Sequence, residues 1–181
     1  MVDPDVTEVI FIGGRSGVGK TSVAFEASHI LADERIRHAL IEGDNLDQAY
    51  PEPWGEGIAL AERNLAAMWA NYREAGYTRL LFTNTVSVLQ ITPLVHALGG
   101  TVRSASVLLT ASDETAAERL ARREIGTALE EHIERSRRAA TMLDGARVDH
   151  RIPTDGRPLE EIAREMLASA GWLVAAPDAG E

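Results

Sequence analysis

A chain of 181 residues, with 28 acidic against 18 basic side chains and a net charge of −10, has room for one α/β domain and its core. That acidity argues against a nucleic-acid or anionic-membrane partner, and any bound phosphate must then be held by a local cluster of cations. Cysteine is absent, which excludes disulfides and thiolate chemistry, and the five histidines (His29, His38, His96, His132, His150) lack metal-ligand spacing.

The start, Met1-Val2-Asp3-Pro4-Asp5, has neither the basic residues nor the apolar stretch of a signal peptide. No apolar run is long enough to span a bilayer, so the expectation is a soluble, cytoplasmic protein. Val9–Ile12 is short, apolar and β-branched, as a buried central strand should be. Next comes Gly14-Arg15-Ser16-Gly17-Val18-Gly19-Lys20-Thr21, followed by Ser22. The pattern G-x-x-x-x-G-K-[ST] between a strand and a helix is a phosphate-binding loop (Walker A). Gly14, Gly17 and Gly19 let the backbone approach an anion, successive amides point into one concavity, and the helix N-terminus adds its positive end. Lys20 supplies a flexible charge for the outer phosphates and Thr21 a hydroxyl for Mg²⁺.

The helix from Gly19 carries Val23, Ala27, Ile30 and Leu31 at helical spacing and fades near Asp33. Arg37–Ile41 reads as a second strand, ending in Glu42-Gly43-Asp44-Asn45-Leu46-Asp47. Residues 48–57 hold two prolines and two glycines and form a loop. Trp54 within it is either an aromatic wall over a ligand or an anchor packed into the body. Residues 59–75 are a helix whose Leu65, Met68, Trp69 and Tyr72 make a core stripe, stopped by Gly76. Thr78–Thr83 is a third strand, residues 91–98 a short helix, and residues 102–110 contain a fourth strand.

Ser112 caps a helix with Asp113 and Glu114 in its first turn. Arg119, Arg122 and Arg123 share one face of that helix. After a break at Gly126-Thr127, a further helix bears Arg135, Arg137 and Arg138, completing a cationic cluster unless these residues simply pair with Glu118, Glu124, Glu130 and Glu134. Val148–Ile152 is a fifth strand, Thr154-Asp155-Gly156-Arg157 a turn, and Pro158 opens a last helix with Leu159, Ile162, Met166 and Leu167 inward. The alternation predicts an α/β, three-layer P-loop NTPase fold: a five-stranded parallel sheet with helices on both faces and a short helical lid. A single domain spans 1–181, with the lid at about 124–132, substrate-side helices at about 48–75, and a frayed tail at 175–181.

A GTPase would carry N-K-x-D and D-x-x-G, which do not occur, and a dinucleotide fingerprint fails at Ser22. A motor-type ATPase needs an acidic end on the third strand, which here reads Leu81-Phe82-Thr83-Asn84. What remains fits a compact kinase. The chain resembles the P-loop small-molecule kinases related to nucleoside monophosphate kinases, over roughly residues 8–170. Ile41-Glu-Gly-Asp44-Asn45-Leu is similar to the strand end of adenylylsulfate kinases, and Asp44 stands where chloramphenicol phosphotransferases and gluconate kinases place a substrate-facing Asp. Leu108–Thr115 with Arg119, Arg122, Arg123 and then Arg135 resembles tunicamycin-resistance ATP-binding proteins, as does His150–Gly156.

The resemblance implies an ATP- and Mg²⁺-dependent phosphotransferase acting on a hydroxyl of a small molecule. Lys20 and the loop amides would hold the outer phosphates, Thr21 the metal, and Asp44 would accept or orient the hydroxyl proton. Arg119, Arg122 or Arg123 would close over the phosphates. Thr154, Asp155 and Gly156 would contact adenine through backbone, and Asp47 and Arg63 are further acceptor-binding candidates. Arg15 is not required by the motif and reads as solvent-facing. The missing acid on the third strand keeps a second reading open, a protein that binds ATP and a small ligand without transfer.

Overall fold

The computed structural model describes residues 5–122 and 125–173. Its sheet comprises β1 (Val6–Gly13), β2 (Ala39–Glu42), β3 (Arg79–Thr83), β4 (Thr101–Thr110) and β5 (His150–Pro153) in the order β2-β3-β1-β4-β5. Every pairing is parallel. The helices are α1 (Lys20–Asp33), α2 (Leu60–Glu74), α3 (Ile91–Leu98), α4 (Asp113–Ala121), α5 (Thr127–Asp144) and α6 (Leu159–Ser169). The expected α/β class and five-stranded parallel sheet are therefore present. Expected features at Arg123, the start of the lid and the tail 175–181 lie outside the described residues.

β1 is central because its side chains are apolar on both faces. Ile10 and Ile12 point to one side, where Val23, Ala27 and Leu31 of α1 meet Ile162 and Met166 of α6. Val9 and Phe11 point to the other, against Leu65 and Trp69 of α2 and Leu94 and Leu98 of α3. Two apolar layers with a shared sheet between them leave only the strand ends for polar chemistry. β1 runs three residues longer at its start than the apolar run predicts. Polar residues in that extension have partners: Glu8 accepts from Arg79 at 2.7 Å, and the Thr7 hydroxyl accepts the Trp69 indole N–H at 3.1 Å. Conversely β2 begins at Ala39, two residues later than the pattern suggests.

Two expected inward residues differ. Leu159 is 45% exposed, because it opens α6 at the sheet's carboxyl edge, and Met68 sits at the rim of its stripe at 37%. Gly76, at φ 83°, stops α2 as anticipated, and the Ser112 hydroxyl accepts the Thr115 N–H at 3.2 Å to cap α4. Residues 127–132 of the anticipated lid are the first turns of α5. Among the described residues no helix is long and apolar enough to cross a membrane.

Trp69 is 1% exposed and combines a filled core position with a buried hydrogen bond. Trp69→Ala should lower the unfolding free energy by about 3–5 kcal/mol, measured by urea denaturation.

Candidate functional site

The loops after β1, β2, β3, β4 and β5 converge at the carboxyl edge of the sheet, where a parallel α/β sheet offers its crevice. The β1–α1 loop is the phosphate-binding loop, and Gly14, Gly17 and Gly19 all take positive φ. Gly17 shows why the motif needs glycine: at φ 84°, a Cβ would lie 2.5 Å from the Ala116 carbonyl oxygen of α4. Lys20 starts α1 and turns back over the loop, its ammonium donating to the Gly14 carbonyl at 2.8 Å and the Thr85 hydroxyl at 3.3 Å. Burial pushes its pKa below the usual lysine value, against the opposing pull of Asp44 and then Glu42. A desolvated cation with two carboxylates nearby is poised to gain from an incoming polyanion.

Arg15 is not solvent-facing. It is 5% exposed, donating to the Ser136 hydroxyl of α5 at 2.8 Å and pairing with Asp113 at the start of α4. The Ser136 hydroxyl in turn donates to the Ser16 carbonyl at 2.7 Å. The loop is thus stapled to both arginine-bearing helices. Its side chain is occupied with this bracing, so only its backbone is available to a phosphate.

Arg119 likewise faces the loop backbone. Its guanidinium donates to the Val18 carbonyl at 2.9 Å, the Thr154 hydroxyl at 3.0 Å and the Thr154 carbonyl at 3.0 Å. It borders a cavity of about 290 Å³, shared with Arg122, Thr154, Arg157 and the exposed Leu159. In this arrangement its hydrogen bonds go to backbone carbonyls and the Thr154 hydroxyl beside the loop. Asp155 also turns away from a ligand, accepting the Ser112 N–H at 3.0 Å and the Ser112 hydroxyl at 2.8 Å. On α5 the expected cationic cluster is paired: Arg138 with Glu134 at 3.3 Å, Arg137 with Asp113 at 3.7 Å and Arg135 with Glu131 at 4.0 Å. Of these partners only Glu134 is among the glutamates the sequence offered, and all three are exposed surface pairs.

A second cavity of about 180 Å³ lies over the loop and is lined by Ser16, Lys20, Thr21, Ser22, Asp44 and His132. A third, wider cleft of about 640 Å³ opens between β2, β3 and α2, lined by Asp44, Asp47, Trp54, Glu62, Asn84 and Thr85 among others. Asp44 belongs to both, accepting the Thr85 N–H at 3.3 Å. Trp54 is 63% exposed, so it is the wall of this cleft and not a buried anchor. Arg63 is exposed and does not line the cleft; its neighbour Glu62 does.

Two contributors escaped the sequence reading. Glu42, at the end of β2, accepts the Thr21 hydroxyl at 3.2 Å, and its buried Oε1 has no hydrogen-bond partner among the described residues. Glu42 pairs in register with Thr83, so the carboxylate missing from β3 stands one strand over. His132 reaches the loop cavity from α5, for which the sequence carried no spacing signal.

The loop, with its glycines and buried lysine, has the geometry of a P-loop, a backbone cradle suited to phosphate. The fold of the chain is that of the P-loop small-molecule kinases. Residues 6–65 match the adenylylsulphate kinase family model, from β1 into α2. A gluconokinase from Sinorhizobium meliloti is 24% identical over 91% of this chain and 91% of its own, with a TM-score of 0.57. The tunicamycin resistance protein of Deinococcus radiodurans is 20% identical over 94% of this chain and 99% of its own, with a TM-score of 0.58. Shikimate kinase from Acinetobacter baumannii, in complex with shikimate, is 19% identical over 90% of this chain and 92% of its own, at a TM-score of 0.55. No curated protein matches the sequence significantly.

The Arg15 hydrogen bond, and then its charge, hold the Asp113 carboxyl below the ordinary 3.8. Its folded pKa therefore lies under its unfolded one, so the pair contributes fully above 3.8 and fades as pH falls through the depressed value. Asp113→Asn should flatten that acid-side loss, seen as a shallower fall of Tm by calorimetry between about pH 5 and about pH 2.

Proposed function

We propose that this protein is an ATP-dependent phosphotransferase that moves the γ-phosphate to a hydroxyl of a small molecule. The observation that carries the reading is Asp44, which borders both the cavity over the phosphate loop and the wide cleft beside it. A group at that junction can touch the acceptor hydroxyl and the transferring phosphate at once.

Lys20 and the loop amides hold the outer phosphates and balance charge as the transfer proceeds. Asp44 orients the acceptor hydroxyl and takes its proton, while the hydroxyl oxygen forms the new bond to the γ-phosphorus. The bond from that phosphorus to the bridging oxygen breaks, and the electron pair leaves with ADP. Thr21 fits a Mg²⁺ ligand, and Glu42 fits the carboxylate behind it, with one oxygen on the Thr21 hydroxyl and one unspent. A Mg²⁺ ion held this way would keep water and phosphate oxygens for the rest of its shell. When bound, that ion would neutralise phosphate charge. The cavity between Arg119, Arg122 and Thr154 takes the nucleoside, with Leu159 as an apolar surface for the base. The same reading places the enzyme in the cytoplasm, acting on small molecules.

The alternative of binding without transfer rested on the bare end of β3. Glu42 on the neighbouring strand answers that need, which favours the enzyme.

Asp44→Asn should reduce ADP formation by about 10²- to 10⁴-fold while leaving nucleotide affinity nearly unchanged, read by coupled assay and calorimetry. Lys20→Ala should weaken nucleotide binding itself. Gly43→Ala gives a test through geometry, because its Cβ would sit 2.5 Å from the Phe82 ring and 2.6 Å from the Thr83 carbonyl oxygen. Displacing the turn that carries Asp44 should lower turnover and spare nucleotide affinity; equal loss of both would contradict the assignment.

A further inference from the structure

The cleft beside Asp44 has a charge pattern that limits what can enter it. Its charged lining residues are Asp44, Asp47 and Glu62, and no Lys, Arg or His is among them. Its other polar contributors, Gln90 for example, are neutral amides and hydroxyls, and Trp54 and Phe82 supply aromatic surface. Lys20 balances Asp44 at the loop end of the cleft, but an anionic acceptor reaching further in would face Asp47 and Glu62 with no cation in the lining beside them. Arg63, on the helix beside the cleft, is exposed and not part of the lining. The α5 arginines are engaged with Glu131, Asp113 and Glu134.

Building on the phosphotransfer reading, we propose that the acceptor is a hydroxylated amine, an amino sugar or amino alcohol whose ammonium is held by Asp47 and Glu62 while its hydroxyl faces Asp44. The Trp54 ring adds a face on which such a cation and its carbon frame can rest. Asp47 has its pKa raised by burial first, then by Glu62 and Asp44, so the free cleft holds crowded negative charge that an ammonium relieves. A volume of about 640 Å³ admits one to a few sugar rings. In the transfer the hydroxyl O–H bond breaks and an O–P bond forms, with the proton on Asp44 and ADP leaving. The amine stays protonated and is not the nucleophile. Carboxylate acceptors, such as the shikimate bound in the Acinetobacter enzyme, are excluded by the same charges.

The test is calorimetry on the intact protein with Mg²⁺ and a non-hydrolysable ATP analogue, titrating glucosamine and kanamycin against glucose and gluconate. Glucosamine or kanamycin should bind saturably and more tightly than glucose, with gluconate showing no association. The Asp47→Asn, Glu62→Gln double variant should weaken amine binding roughly tenfold or more while keeping its affinity for the analogue, which also reports that it is folded. Gluconate binding as tightly as the amines, an amine affinity indifferent to the double substitution, or no saturable binding by either amine each overturns the proposal. ADP release from ATP is followed separately. An amine that binds but elicits no ADP leaves the charge preference standing and counts against the phosphotransfer reading instead.

Discussion

The structure depends on one ammonium held out of water. Lys20 can be buried only because the loop before it folds its carbonyls, and the Thr85 hydroxyl, toward the charge. That loop keeps its shape because α4 and α5 grip it from outside. Arg15 reaches Ser136 and Asp113, and Arg119 takes the Gly17 and Val18 carbonyls. Arg15, which the motif leaves free, and Arg119, which chemistry would aim at phosphate, both brace the loop here, one through Ser136 and Asp113 and the other through backbone oxygens. The phosphate itself is left to amides, one lysine and the end of a helix dipole.

This arrangement explains how an acidic protein can hold a polyanion. Its field overall is repulsive, so attraction must be local and short-ranged, and the low dielectric around Lys20 makes it strong there. The acids are not distributed at random about the site. Glu42 stands behind Thr21, Asp44 at the junction of two cavities, and Asp47 with Glu62 further along the cleft. The acids therefore extend from the Lys20 end of the site into the wide cleft, where the lining holds no cation.

Much of this was legible in the sequence because periodicity reports burial. β1, α1 and the α2 stripe follow from apolar spacing, and the phosphate loop from glycines whose steric need is real at Gly17. Position at a strand end offered both Asp44 and Asp47, and it is the resemblance to known kinases that singles out Asp44. Other features depend on contacts between residues far apart in the chain, which spacing does not record. Arg15 looks like a free variable in the motif, and only Ser136, 121 positions away, makes it a buried brace. Glu42 is not legible from spacing because the bare end lies on β3, while the pairing of β2 with β3 brings the acid in laterally. Leu159 fits the helical stripe of α6, yet at the first turn that stripe has run out of core to meet.

Ser136 fixes α5 at mid-length, being 1% exposed and bonded to Arg15 on one side and Ser16 on the other. A rod clamped at its centre cannot swing as a whole without pulling the clamp. The half of α5 beyond that point is seated against Leu108 and Val88 through Leu143. A displacement of α5 at that point would pull on the Ser16 carbonyl, so the helix and the loop backbone are mechanically one piece.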